Sequence, residues 1–239
     1  MYWRKSMEVP ILSKRLMKIA TYIPKSPILA DIGSDHAYLP CYICLKDKEA
    51  KAIAGEVRIG PYERAVQTVR NYQLENKVEI RLGNGLEIIS EKDQVCTVTI
   101  AGMGASLIEK ILNEGKNKLK TVSRVILQPN TNSEKIREWV DNETYRIIDE
   151  AIIEENGQFY EIIVANKVDN CKNSLSIKER LFGPILLEQK SDVFKRKWER
   201  ERHKLTTVLN NVKNAKEPDA NKIQQLRRKL DLIEEVLSK

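Results

Sequence analysis

Ile28-Leu29-Ala30-Asp31-Ile32-Gly33-Ser34-Asp35-His36 is the stretch whose reading decides the fold. Ile28 to Ile32 reads as a short buried strand. An acid at the end of such a strand, followed by a glycine turn, is how open α/β sheets receive nucleotide-type ligands. The glycine lets backbone come close to the ligand, and the acid anchors its polar groups. The run holds one glycine rather than the G-x-G-x-x-G of dinucleotide sites, and Asp35 stands where a second glycine would. An anionic side chain there repels a pyrophosphate. It suits a ligand that carries an amine and a sulfonium.

The pattern on either side supports this. Ile11 to Ala20 has helical spacing of apolar residues and is ended by Pro24 and Pro27. Downstream, strands read at Lys51–Glu56, Val78–Leu82, Val95–Ile100 and Val122–Gln128 alternate with helical stretches from Pro40, over Pro61–Asn76, over Ala105–Asn113 and over Ser133–Asp141, with Ser133 as the expected cap. Two further strands near Tyr145–Glu154 and Phe159–Asn166 flank Asn156-Gly157, a strong hairpin signal. The expectation is an α/β, Rossmann-like sheet, mostly parallel and covered by helices on both faces, with a terminal β-hairpin.

Polar groups recur where these strands end. Glu56, 25 residues after Asp31, is placed to bind two ribose hydroxyls. Asn84 and Gly85 follow the third strand, where an amide can meet an adenine or fix the loop. Each residue alone reads equally well as a turn or cap residue; the set of three strand ends is the more specific signal. With Asp31, Gly33, Ser34, Asp35 and His36, it favours S-adenosylmethionine over a nicotinamide dinucleotide. The fourth strand ends in Ala101-Gly102-Met103-Gly104. It lacks the Asn/Asp-Pro-Pro-aromatic run usual where an exocyclic amine is methylated. Its glycines let a flat base or the methionine end of the cofactor approach the backbone.

Composition sets the outer bounds. The 239 residues hold 41% apolar and 31% charged residues, with a net charge of +7. No apolar run is long enough to span a membrane, and a cytoplasmic location is expected. Cys41, Cys44, Cys96 and Cys171 form no disulfide framework, and no metal site is expected; Cys41-x-x-Cys44 reads as a helix face. Residues 1–170 balance at 24 bases against 24 acids, whereas the last 69 residues carry 17 against 10. That asymmetry points to a polyanion or to a solvated Lys-rich surface. Two domains follow: 1–167, and a basic helical unit over 168–239. In the second, a polar linker at Val168–Ser174 leads into one long helical pattern from Ser176 to Asn214, kinked at Gly183-Pro184. A return helix over Asn221–Leu237 completes a coiled-coil hairpin.

Leu12-Ser13-Lys14-Arg15-Leu16, Asp31 to Pro40, Ile100 to Gly104 and Leu127-Gln128-Pro129-Asn130 together resemble the bacterial tRNA (adenine-22-N1)-methyltransferase family. The likeness covers nearly the whole chain, and its Asp-His-Ala-Tyr-Leu-Pro segment is quite specific. One departure is Asn84, where Asp is common in the wider methyltransferase class. The resemblance implies a class I fold, S-adenosylmethionine as methyl donor and N1 of a tRNA adenine in the D-arm region as acceptor. Another class I RNA methyltransferase, or a non-catalytic RNA-binding protein that keeps the cofactor fold, is the competing reading.

Strand-end position makes Asp35, His36, Gln128 and Asn130 the catalytic candidates, the last two as partners of the base edge; for His36 a cap or core role stands beside this. Nothing in the sequence sets the oligomeric state, for which a monomer is the expectation. Lys14, Arg15, Arg196, Lys197, Arg200, Arg202, Arg227 and Arg228 are the expected RNA contacts. If they are, tRNA affinity falls steeply with salt, and charge reversal at several of them weakens it; unchanged affinity in a filter-binding assay would defeat that expectation.

Overall fold

The computed structural model describes residues 9–169 and 174–238. Cys171, most of the expected linker and the first eight residues lie outside them. Seven strands form one sheet: β1 (Ile28–Ile32), β2 (Lys51–Glu56), β3 (Val78–Leu82), β4 (Thr97–Met103), β5 (Arg124–Pro129), β6 (Tyr145–Glu155) and β7 (Gln158–Lys167). Their order is β3-β2-β1-β4-β5-β7-β6. The first five strands are parallel, and β7 enters antiparallel between β5 and β6. Asn156 and Gly157 both have positive φ, as a two-residue hairpin turn of the I′ kind demands. The strand order reverses between β1 and β4, which is where such sheets bind ligands.

Side chains alternate across the sheet, interrupted by bulges in β4 and β6. Ala30, Ile32, Val125 and Leu127 join Ile108, Ile111 and Trp139 of α4 (Ala105–Glu114) and α5 (Ser133–Asn142) in one core. Leu29, Ile126 and Val164 join Ile19, Leu39 and Val69 of α1 (Lys14–Tyr22), α2 (Tyr38–Lys46) and α3 (Ile59–Asn71) in the other. The period-2 pattern therefore feeds two helical layers. Cys41 and Cys44 are free, buried thiols on α2, and burial raises both, to about 12 and about 11.

Three local expectations need correction. Helix α3 begins at Ile59, two residues ahead of Pro61, and stops at Asn71, because Gln73 turns left-handed. Helix α5 is capped by Asn132 in the left-handed region rather than by Ser133, its first helical residue. The long C-terminal pattern is three helices: α6 (Ile177–Phe182), α7 (Pro184–Gln189) and α8 (Asp192–Lys213), followed by α9 (Ala220–Leu237). Gly183 has φ +91°, Lys190 is left-handed, and the Ser191 side chain starts α8 afresh by accepting the Phe194 N–H. Leu205, Leu209, Leu230 and Ile233 close α8 against α9, while Phe182, Phe194 and Trp198 fill the base of the same cluster.

A buried charge network joins these helices to the sheet. Arg137 on α5 has no solvent exposure. Its Nε donates to Glu150 of β6 at 2.6 Å and its Nη2 to Glu161 of β7 at 2.7 Å. Its Nη1 reaches the backbone carbonyls of Arg180 and Leu181 in α6. Glu150 also accepts the Ile185 N–H of α7 at 3.0 Å. A Cβ at Gly183 would meet Glu150 Oε2 at 2.5 Å and Arg137 Nη2 at 2.7 Å, so only glycine passes there. Arg137→Leu strands two buried carboxylates and is expected to cost about 3–5 kcal/mol, read from urea unfolding; a loss below about 1 kcal/mol would show that the network is dispensable.

Candidate active site

The carboxyl ends of β1, β2, β4 and β5 meet at one edge of the sheet. After β1 the chain makes an unusual turn. Gly33 has φ +68°, and Asp35, His36 and Ala37 follow with φ of 38°, 68° and 56°. Three successive non-glycine residues in the left-handed region are strained. The turn is held by the Gly55 carbonyl oxygen, which accepts the N–H groups of Gly33 and Ser34 at 2.9 and 3.1 Å. The Asp35 side chain is 80% exposed, and His36 Nε2 lies 3.5 Å from its Oδ1. His36 also stacks on Tyr38, ring centroids 5.5 Å apart.

Beneath this turn lie two buried acids. Asp31 is 5% exposed and accepts the hydroxyls of Ser34 and Thr99. Burial raises its pKa, opposed by those two bonds and by the charge of Arg15. Glu56 is 6% exposed, and its Oε1 accepts the Asp35 backbone N–H. Its Oε2 accepts nothing among the described residues. Burial raises Glu56 too, and the neighbouring Asp35 and Asp31 push it further the same way. The edge is an acidic pocket with one carboxylate oxygen open, a match for a cation and for vicinal hydroxyls.

The far wall is a bulge in β4 between Ala101 and Met103, with Gly102 at φ +78°. Gln128, with no solvent exposure, holds it: Oε1 accepts the Gly102 N–H at 3.0 Å and Arg15 Nη1 at 2.6 Å. Asn130 donates Nδ2 to the Gly102 carbonyl at 2.8 Å and accepts from Gln128 Nε2. Gln128 is therefore closed to any base edge, against the expectation, whereas Asn130 remains exposed. A Cβ at Gly33 would collide with the Met103 methyl. Met103 thus roofs the glycine turn. Asn84 is exposed beside Gly85, whose φ is +55°.

The expected RNA contacts divide. Arg15 turns inward, its guanidinium 5.4 Å from the Tyr160 ring centroid, instead of facing a phosphate. Lys197 pairs with the buried Glu161, and burial lowers its pKa to about 7. Arg196 pairs with Glu154 at 2.6 Å, and Arg200 donates to the Gly157 carbonyl. Lys14, Arg227 and Arg228 are exposed, and Arg202 is half-buried.

The family model described as tRNA (adenine(22)-N(1))-methyltransferase matches residues 29–235. The chain belongs to this family. It is 42% identical over 231 residues to the tRNA (adenine(22)-N(1))-methyltransferase of Bacillus subtilis, covering 95% of this chain and 97% of that one. A Streptococcus pneumoniae protein solved in complex with S-adenosyl-L-methionine superposes with a TM-score of 0.86 at 42% identity, over 95% of this chain and all of that one. A Mycoplasma capricolum member of the family, solved with S-adenosyl-homocysteine, gives 0.83 at 31% identity, over 95% and 98%.

In this family member several residues of the edge escaped the sequence reading. Thr99 is buried and inseparable from Asp31. Val57 and Ile59 are each 64% exposed directly after Glu56, and Leu82, paired in register with Glu56, is 52% exposed. Two apolar residues following a strand-end acid were the available signal. Glu56 has a raised folded-state pKa, so its contribution to stability is full at low pH and is lost as pH rises through that pKa. Glu56→Gln is therefore expected to raise the thermal midpoint of the ligand-free protein at neutral pH. That gain should vanish in acid; equal midpoints at neutral pH would contradict the assignment.

Proposed function

We propose that this chain transfers a methyl group from S-adenosyl-L-methionine to N1 of adenine 22 in tRNA, in the cytoplasm. The observation that carries the reading is the acid pair at adjacent strand ends, Asp31 and Glu56, with Glu56 Oε2 open beside exposed apolar side chains. A ribose diol fits that free oxygen. Val57, Ile59 and Leu82 offer apolar faces to the adenine, with Asn84 and Gly85 at its rim. Asp31, Gly33, Ser34, Asp35 and His36 take the methionine end, where anionic side chains answer an amine and a sulfonium. Ala101, Gly102 and Met103 border the point of transfer. Residues 1–167 form the catalytic unit and 168–239 the basic helical one.

When bound, S-adenosylmethionine supplies an electrophilic methyl group that the N1 lone pair takes by in-line displacement, leaving a thioether and a cationic 1-methyladenine. Adenine N1 carries no proton near neutral pH, so no residue must act as a base. The protein's work is alignment and charge compensation. Gln128 fixes Gly102, and Arg15 fixes Gln128, which makes both positioning residues. Asn130 is the polar group of this wall that an incoming base edge can reach. Asp35, exposed beside the turn, balances the positive charge as it moves onto the purine.

Incubation with labelled S-adenosylmethionine and unmodified bacterial tRNA, followed by nucleoside mass spectrometry, tests the reading. The expected product is 1-methyladenosine at position 22, absent from a tRNA with guanine there. Cofactor binding without that product would move the substrate elsewhere. Gln128→Ala is expected to lower kcat by about a hundredfold through misalignment with little change in cofactor Kd; an unaltered kcat would remove Gln128 from the positioning role.

A further inference from the structure

Arg15 reaches the active-site wall from α1 as a cation without an ion pair among the described residues. Two groups hold its guanidinium. Gln128 Oε1 accepts from Nη1 at 2.6 Å, and the Tyr160 ring centroid lies 5.4 Å away. The guanidinium also packs onto the bulge itself, since a Cβ at Gly102 would meet Nη1 at 3.2 Å. An arginine side chain is long and flexible, so an orientation this specific needs a support. A flat ring is one, because a guanidinium is attracted to an aromatic face and stacks on it.

Tyr160 stands on β7, and the β6–β7 hairpin grips α1 at a second point. Glu155, the last residue of β6, accepts the Lys14 N–H at 2.7 Å. A carboxylate therefore meets the first turn of α1 one residue before Arg15, where the helix dipole favours it. Ile153, paired in register with Tyr160, packs into the core that contains Ile19 of α1. The hairpin's other face is anchored as well. Glu154 pairs with Arg196 of α8 at 2.6 Å, and the Gly157 carbonyl accepts from Arg200 of α8 at 2.7 Å. Phe159 lies under Arg200, at the rim of a cleft of about 580 Å³ between α8 and the β5–α5 loop. Alternation along the strands thus gives α8 one face of the hairpin and α1 the other. The ribbon is held from both sides, so it presents Tyr160 and Glu155 at fixed places.

We propose that Tyr160 and Glu155 are positioning residues for methyl transfer; the assignment rests on the function proposed above. The hairpin holds Arg15 by its side chain and by the start of its helix. Arg15 holds Gln128, and Gln128 holds the Gly102 N–H at 3.0 Å. The wall that borders the point of transfer is thereby supported by a ribbon that touches neither cofactor nor base. Tyr160 acts through the face of its ring, so its hydroxyl is not required. A ring that merely filled space would change stability alone. A ring that supports the wall changes kcat, because alignment at the reacting centre is lost while the binding surfaces stay intact.

The test uses the full chain, unmodified bacterial tRNA and labelled S-adenosylmethionine. Tyr160→Leu is expected to lower kcat about tenfold, with the KM for tRNA and the cofactor Kd unchanged. Tyr160→Phe keeps the ring and should restore kcat. In a Gln128→Ala background Tyr160→Leu should add no further loss, because both act through one chain of contacts. Glu155→Ala, at the half-buried end of the hairpin, is expected to lower kcat about threefold and carries the test if Tyr160→Leu fails to fold. Amide hydrogen exchange at Gly102 should quicken in both variants. Wild-type kcat in either variant overturns the proposal. So does a Tyr160→Phe loss equal to that of Tyr160→Leu, or losses that multiply with Gln128→Ala. Faster Gly102 exchange in variants of a protein that makes no 1-methyladenosine would instead defeat the proposed function and leave this support of the wall standing.

Discussion

Gln128 is buried to the last atom, and its amide is the junction through which the active-site edge holds itself together. One oxygen accepts from α1 through Arg15 and from the β4 bulge through Gly102, while the nitrogen donates to Asn130. A buried amide is costly unless satisfied, so its position dictates where three other groups must be. The bulge cannot flatten without orphaning the Gly102 N–H. Arg15 cannot swing out without leaving the amide oxygen a donor short and abandoning the Tyr160 ring. A side chain that never meets a ligand thereby fixes the wall against which one must sit.

A second, larger polar junction does the corresponding work away from the chemistry. Arg137 and its two carboxylates sit where α5, β6, β7, α6 and α7 converge, and Lys197 of α8 reaches Glu161 from the other side. Apolar residues of like volume would fill this space at no loss of stability and often at a gain. What the ions add is direction, since the guanidinium's donors point at fixed acceptors on β6, β7 and α6. The short α6 and α7 and the foot of α8 are thereby attached in one orientation, and the cleft between α8 and the β5–α5 loop keeps a defined shape.

These two junctions also mark what the sequence could and could not reveal. The strands, the Asn156-Gly157 turn and the strand-end acids Asp31 and Glu56 were legible because each is written in local pattern and spacing. Gln128 and Asn130 were placed at the right edge, but their roles were not separable. Alternation assigns a residue to a face of the sheet; it does not say that a neighbouring strand's bulge will consume the amide. Arg15 and Lys197 show the same limit for charge. Both were expected at the surface against RNA, and only the tertiary positions of Gln128 and Glu161 turn these cations inward. The break at Gly183 was legible as a kink, though the constraint that needs glycine there comes from Arg137 and Glu150; the break at Lys190 was hidden because apolar periodicity continues across it.

The strained turn after β1 connects these ideas. Three left-handed residues in succession cost on the order of 1–2 kcal/mol each, and α2 begins without a side-chain cap to offset any of it. What holds the turn is borrowed from β2: the Gly55 carbonyl takes two N–H groups, and Glu56 takes the N–H of Asp35. Glu56 thus has one oxygen committed to the turn and one open. That division accounts for a carboxylate buried near Asp31 and Asp35, an arrangement that repulsion and desolvation both oppose. Removing the charge would relieve the repulsion, but a neutral side chain would hold the Asp35 N–H less firmly and present a weaker acceptor to a ribose. The turn's shape and the pocket's affinity rest on the same buried charge, so stability at neutral pH can be gained there only at a loss to both.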